Sequence, residues 1–328
     1  MKNFLLLIVP VLSIVVSLES CTRDQPKTVP STTNQASGQS NAAVTVPEFD
    51  GKNAFSYLTA QTDFGPRTPG STGHANCLAY LNTEMQNCAE AVNLQQFSMT
   101  GYDGDVLNLT NVVSSFNLKA TKRILLIAHW DTRPRADQEK DPKKQKMPIL
   151  GANDAASGVA VLMEIGRHLK ATPPQVGVDM LFVDGEDYGK EGDTNFYLLG
   201  AKYFVKNLPQ GFSPQFGILL DMIGDKELTL KKEQFSLKYA PDIVDLVWST
   251  ARDIGVTQFV DAEQNWVTDD HLPFNEVGIK TVDLIDFEYP DSTNRYWHTL
   301  QDTPDKCSPE SLEAVGKVIL TVIYRQSP

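Results

Sequence analysis

The chain has 328 residues, a formal net charge of −12 at pH 7 and a hydrophobic content of 41%. That apolar content supplies a sizeable core and excludes a disordered polymer, while the length accommodates one large or two ordinary domains. The acidic balance argues against nucleic acid as a partner, but a solvated acidic surface gives the same charge, so it selects no substrate.

At the N-terminus, Lys2 precedes the apolar run FLLLIVPVLSIVVSL. A basic start, an apolar stretch and a small residue before the cut predict an export signal over residues 1–20. The run is short for a membrane span and contains Pro10. In LESC, Leu18 lies three residues before Cys21 and Ser20 directly precedes it. This resembles the bacterial lipobox, which implies a lipidated Cys21 and a membrane-anchored protein of the periplasm or cell envelope. Glu19 departs from that pattern, and ordinary cleavage near Ser20 is the alternative. Residues 21–47 are rich in Ser, Thr, Asn, Gln and Pro without apolar periodicity, so they predict a disordered tether. A single folded domain is expected over 48–328, and a monomer with it.

The segment HANCLAYLNTEMQNC has helical spacing. It would hold Cys77 and Cys88 ~16 Å apart, beyond disulfide reach. These two and Cys307 are expected as unpaired thiols, despite an oxidising compartment. From residue 123 strands and helices alternate. RILLIAHW is a predicted strand, AASGVAVLMEIGRHLK a helix, VDMLFVDG a strand and NFYLLGAKYFVKNL a helix. FGILLDMIG is a strand, APDIVDLVWSTARDIG a helix and IKTVDLIDF a strand. The last helix, SPESLEAVGKVILTVIYRQ, opens with Ser308 as N-cap and Pro309 in its first turn. Near-continuous Val/Ile/Leu strands between amphipathic helices predict an α/β fold. A three-layer α/β/α sandwich around a central mixed, mostly parallel sheet is expected. Its functional crevice should lie beyond the carboxyl ends of the strands.

Strand after strand ends in a potential metal ligand. ILLIAHWD closes on His129 and Asp131, DMLFVDGED on Glu186 and Asp187, and FGILLDMIGD carries Asp221. Asp154 sits in GANDAASG, DDHLPF brings Asp269, Asp270 and His271, and YWHT brings His298. One acid at a strand end more often caps a helix, but several on one edge point to a cation, and carboxylates with imidazoles suit zinc. Its charge makes Asp187 tolerable as an ionised ligand and leaves Glu186 free as a base beside it. Asp131 is expected to orient His129 without touching a metal. His271 reads as structural, and His74 and His168 as surface or packing residues outside the acidic motifs. The basic stretch RPRADQEKDPKKQK, between HWD and GAND, reads as a solvated loop near the site.

In this order, GPRTPGSTGHANCLAYL, AHWDT, GANDAASGVAVLMEI, FVDGEDYG, LLDMIGD, DDHLPF and YWHTLQDTPDKCSPESL resemble the zinc-dependent aminopeptidase clan. Within it they are most similar to the glutaminyl cyclases of the animal type and their bacterial relatives, over nearly the whole chain from about residue 50. The resemblance implies one zinc ion held by Asp154, Asp187 and His298, with a position left open. It implies Glu186 as general acid/base, joined by Asp221 and Asp269 in a hydrogen-bond network, and Trp297 as a wall of the substrate pocket. Asp187 departs from the animal pattern, which carries a glutamate there. The pocket tryptophan expected shortly after the acid pair has no counterpart in YGKEGDTNFY, and Trp266 is a candidate replacement.

Three functions follow. The first is a glutaminyl-peptide cyclotransferase, acting on peptides or proteins with an N-terminal glutamine. The second is an aminopeptidase with two zinc ions, since His129, Asp154, Asp187, Asp221 and His298 complete its nominal ligand set. The third is a lipid-anchored binding protein without chemistry, which the full set of ligands and base disfavours. DDHLPF and YWHT favour the cyclase, because an acid and an aromatic wall there suit a small closed glutamine pocket.

Overall fold

The computed structural model describes residues 45–190 and 192–328. The expected export signal, Cys21 and the tether up to residue 44 lie outside them. No described helix is long and apolar enough to cross a membrane.

The chain opens with α1 (Gly51–Asp63), α2 (Thr72–Cys88), β1 (Ala91–Thr100), β2 (Val106–Phe116) and β3 (Arg123–His129). Then follow α3 (Ala156–Ala171), β4 (Gly177–Val183), α4 (Leu199–Lys206), β5 (Gly217–Asp221) and β6 (Leu230–Lys232). The last part comprises α5 (Gln234–Tyr239), α6 (Pro241–Asp253), β7 (Phe259–Glu263), α7 (His271–Glu276), β8 (Thr281–Ile285) and α8 (Pro309–Tyr324). A six-stranded sheet runs β1-β2-β4-β3-β5-β8, and β6 and β7 form a small separate ribbon. β3 pairs in parallel with β4 and β5, and β5 with β8. β2 pairs antiparallel with β1 and with β4, so the sheet is mixed.

The two-residue period of the strands divides the core between two faces. Ile124, Leu126 and Ala128 of β3 pack in the larger cluster with α3 and α8, whose contribution includes Val159, Leu162, Val315 and Ile319. Leu125 and Ile127 point the other way, onto Ala201 and Phe204 of α4 and Phe274 of α7. Helices therefore cover both faces, giving the expected three layers. Ser308 caps α8 through the Ser311 N–H, with Pro309 in the first turn. Cys77 and Cys88 share α2, and with Cys307 they are free thiols.

Two elements differ from the sequence reading. The helix expected from residue 195 begins at Leu199, because Thr194–Phe196 form a tight 3-10 turn and Leu198 is left-handed, φ 60°. The Leu198 N–H instead donates to the Glu186 carbonyl, which ties this segment to the acidic turn. The β1–β2 hairpin was not anticipated; β1 is an edge strand with a mostly half-buried or exposed pattern, so its alternation is weak.

The sheet delivers its polar residues to one edge. His129 ends β3, Asp221 ends β5, and the acidic turn follows β4. Gly158 lets the first turn of α3 press onto this edge, since a Cβ there would meet the Leu220 carbonyl oxygen at 2.2 Å. That close approach brings Asp154, just before α3, next to Asp221.

Candidate active site

The acidic turn after β4 is held from three sides. Gly185 takes φ +75°, a left-handed conformation that glycine adopts without strain. Asp131 accepts hydrogen bonds from the N–H groups of Glu186 (3.0 Å) and Asp187 (3.3 Å). Its carboxylate lies 3.7 Å from His129 Nδ1, so Asp131 chiefly fixes the backbone of the acid pair rather than orienting the imidazole. Asp184 is buried, accepts from the Thr110 N–H at 2.7 Å and sits 2.9 and 3.1 Å from His74 Nε2. Burial pushes Asp184 up to about 6, with His74 opposing the shift. His74 also stacks on Trp130 at 4.3 Å. It is thus no bystander outside the acidic motifs, because it partners one of their acids from α2. His168, by contrast, packs 3.0 Å from Glu164 on α3, away from the acidic turn.

Asp154, Asp187 and His298 each offer a ligand atom to one small space, and His129, Asp154 and Asp221 do the same beside it. His298 Nε2 lies 3.4 Å from Asp154 Oδ2 and 3.4 Å from Asp187 Oδ1. His129 Nε2 lies 3.2 Å from both Asp154 Oδ1 and Asp221 Oδ1. Burial alone would raise Asp154, but hydrogen bonds from His129 and His298 outweigh it and hold the carboxyl below its usual range. Among the described residues, the buried Asp187 Oδ2 has no hydrogen-bond partner. Ionised carboxylates, an imidazole and an orphaned buried oxygen fit a divalent ion of the zinc type. The backbone beneath Asp154 is braced by Asp302, which accepts from the N–H groups of Asn153 and Asp154, and Tyr289 donates its hydroxyl to Asp302 at 2.9 Å. His298 is left-handed at φ 52°, and Met222, just after Asp221, at φ 48°. Non-glycine residues persist in that region only where surrounding contacts enforce it.

Glu186 faces the same space without belonging to either group. Burial drives its carboxyl well above the usual range; the His129 charge opposes this, and Asp187, Asp269 and Asp270 reinforce it. Burial likewise raises Asp269 far above normal, with Asp221 and Asp270 adding to the shift. Asp221 and Asp269 line the same pocket, and the buried Asp269 Oδ2 has no hydrogen-bond partner among the described residues. His271 lies behind them, fully buried and 3.3 Å from Glu233, in the structural role expected of it.

These groups line a pocket of about 240 Å³, whose walls include Trp297, Phe287, Tyr197 and Trp266. That is smaller than the usual site for a drug-sized ligand, so it suits one side chain and its immediate neighbours. Trp297 stacks on His298 at 3.8 Å, and Phe287 meets Trp297 at 5.1 Å nearly edge-on.

The stretch 133–146 is only partly the solvated loop expected. Arg133 is fully buried. It donates to Asp187 Oδ1 at 2.6 Å, to both oxygens of Asp137 and to the Tyr197 hydroxyl at 3.0 Å. Sequence reasoning missed Arg133, His74, Tyr197 and Asp302. For Arg133 a signal existed in its position four residues after the strand-ending His129; for His74 nothing local marks a partner 110 residues away.

The profile of Peptidase family M28 matches residues 111–323. Among solved structures, the chain is similar to a Bacteroides thetaiotaomicron glutaminyl cyclase bound to N-acetylhistamine. The two are 40% identical with a TM-score of 0.83, over 86% of this chain and 100% of that one. It is equally similar to a leucine aminopeptidase precursor of the same organism, at 41% identity and TM-score 0.83, over 87% of this chain and 100% of that one. The glutaminyl-peptide cyclotransferase of Boiga irregularis is 20% identical over 300 residues, 79% of this chain and 78% of its own length.

Proposed function

We propose that this chain, which belongs to peptidase family M28, is a glutaminyl-peptide cyclotransferase that converts N-terminal glutamine to pyroglutamate and releases ammonia. The observation that carries the reading is the convergence of Glu186, Asp221, Asp269 and Trp297 on one small pocket beside the Asp154, Asp187 and His298 group. Buried acids set together in this way raise each other's affinity for protons, which suits an acid–base network better than a second metal site. The similarity to solved glutaminyl cyclases supports the same choice.

In this reading Asp154, Asp187 and His298 hold one zinc ion. When bound, zinc supplies a Lewis acid that polarises the γ-carbonyl of the glutamine. The pocket folds the side chain back over its own amine, with Trp297 as one wall, and so holds a near-attack geometry. The α-amine nitrogen forms a bond to the amide carbon, and the bond from that carbon to the side-chain nitrogen breaks. Glu186 takes a proton from the amine and returns it to the nitrogen that leaves as ammonia. Its raised affinity for protons suits a group that must act as base and then acid.

One observation favours aminopeptidase action instead: His129, Asp154 and Asp221 could hold a second ion beside the first. The name of one similar structure points the same way. Incubation with a glutamine-initiated peptide separates the readings. Cyclisation gives a product lighter by one ammonia with every residue retained, read by mass spectrometry. Release of free amino acids from leucine-initiated peptides, without that product, would install the peptidase.

Export and anchoring through Cys21 complete the proposal, supported by LESC and the apolar run before it. Cys21→Ala should move the protein from the membrane fraction to the soluble one. A wild-type protein already soluble after cleavage would refute the anchor.

A further inference from the structure

The loop between the HWD and GAND motifs holds a positive charge that the reaction leaves unused. Residues 140–146, KDPKKQK, bring four lysines and one aspartate into a chain whose formal net charge is −12. Lys140, Lys143, Lys144 and Lys146 are exposed and form no ion pair among the described residues, whereas Lys231, Lys232 and Lys280 each face a carboxylate within 2.8 Å. The acids nearest to these four are already engaged. Glu139 Oε1 accepts from the Leu300 N–H at 3.2 Å, Asp141 from the Lys143 N–H at 2.9 Å, and Asp137 from Arg133. The loop has a fixed shape. Its stem closes where the Ala136 N–H donates to the Met147 carbonyl at 2.7 Å, and Lys144–Lys146 form a 3-10 turn. Inside it the Gln145 side-chain amide donates to the Glu139 carbonyl at 2.8 Å. It is also fastened to two walls of the pocket. Arg135 donates to the carbonyls of Tyr188 and Gly189, just ahead of the segment that lines the pocket with Tyr197. On the other side the Gln138 N–H donates to the His298 carbonyl at 3.2 Å.

Asp137 Oδ1 stands 3.7 Å from His298 Nδ1, and Lys140 follows three residues later. Three residues span at most ~11 Å, a distance that a few extended residues of a bound peptide also cover. A cationic patch beside a cleft raises the local concentration of an oppositely charged partner and speeds its arrival. We propose that the 140–146 loop docks an acidic stretch of the substrate polypeptide, about five to eight residues from its N-terminal glutamine. The inference rests on the cyclase reading, under which the glutamine fills the closed pocket and the rest of the polypeptide leaves past these walls. An anionic membrane would meet the same lysines, but the attachments to His298 and Gly189 set the charge beside the emerging peptide.

The test uses three amidated heptapeptides that begin Gln-Gly-Ala-Gly and end in three glutamates, three glutamines or three lysines. At low salt the wild type should form pyroglutamate from the glutamate peptide with a kcat/KM about fivefold above that of the glutamine peptide, through KM. The lysine peptide should come last. The preference should fade toward one in 1 M NaCl, where the screening length is ~3 Å. Lys143→Glu with Lys144→Glu should invert it at low salt. The same charge change at Lys119 and Lys122, exposed residues in the turn before β3 at the far end of the sheet, should leave the wild-type ratio. Equal kcat/KM for the glutamate and glutamine peptides, with pyroglutamate from both, would overturn the docking loop and leave the cyclase reading standing. In that case, binding of Cys21→Ala protein to phosphatidylglycerol vesicles, lost on Lys143→Glu with Lys144→Glu, would assign the loop to a membrane surface instead. No pyroglutamate from any peptide would overturn the cyclase reading and the docking loop with it.

Discussion

Arg133 Nη1 donates to Asp187 Oδ1 at 2.6 Å, while Nε and Nη2 of the same guanidinium engage both oxygens of Asp137. A buried cation therefore stands directly behind one of the proposed metal ligands, and its fork faces two carboxylates at once. Arg133→Met would strand Asp137 and remove the clamp on Asp187. Breaking a buried ion pair from one side costs about 3–5 kcal/mol. Denaturant unfolding with zinc present should show a loss of that size. Arg133→Lys should recover only part of it, because an ammonium cannot pair bidentately with Asp137 while reaching Asp187. Full recovery by lysine would mean that charge alone matters there.

Glu186 is the next residue in line. Its backbone is pinned by Asp131, and its side chain lies outside both ligand groups. Glu186→Gln keeps the shape but cannot accept a proton. Turnover of a glutamine peptide should drop by ~10²-fold or more, with zinc content unchanged by metal analysis. Near-normal turnover in the zinc-replete variant would pass the role to Asp269.

Much of this site was legible in the sequence because its acids and histidines fall at the ends of strands that read clearly as apolar runs. His129, Glu186, Asp187 and Asp221 were each found by that local rule, and the parallel strands bring them to one edge. What the sequence hid depends on contacts between distant segments. His74 looks ordinary on α2 until the fold sets it against Asp184. Arg133 begins a basic run, and only its burial against Asp187 distinguishes it from the exposed lysines that follow. The β1–β2 hairpin was missed for another reason. An edge strand faces solvent over much of its length, so its residues are not forced to alternate.

Asp225 offers a test of pH dependence away from the chemistry. It is buried beside α8, its Oδ2 has no partner among the described residues, and burial pushes its carboxyl up to about 6. An unfolded aspartate titrates near ~3.9, so the folded chain binds this proton more tightly. Stability from this group is full below about 4 and is lost as pH rises through about 6. Asp225→Asn removes the titration while keeping an acceptor for the Glu227 N–H. Its Tm relative to wild type should therefore rise between pH 5 and pH 8. A difference independent of pH would show that Asp225 does not titrate in this range.

The two histidines around Asp154 separate one metal from two. His298 Nε2 approaches Asp154 Oδ2 and Asp187 Oδ1, whereas His129 Nε2 approaches Asp154 Oδ1 and Asp221 Oδ1. Asp154 stands between them and could serve either pair. Asp221 decides the matter: burial raises its affinity for protons, and a second ion would need it as a bare carboxylate. Wild-type protein dialysed against buffered zinc should hold one equivalent. His298→Ala should lose it, and His129→Ala should keep it, with the acid network disturbed but the first ligand set intact. Two equivalents in the wild type, falling to one in His129→Ala, would place a second ion at Asp221 and return the site to hydrolysis. With Asp221 buried among the other acids of the pocket, one equivalent is the expected count.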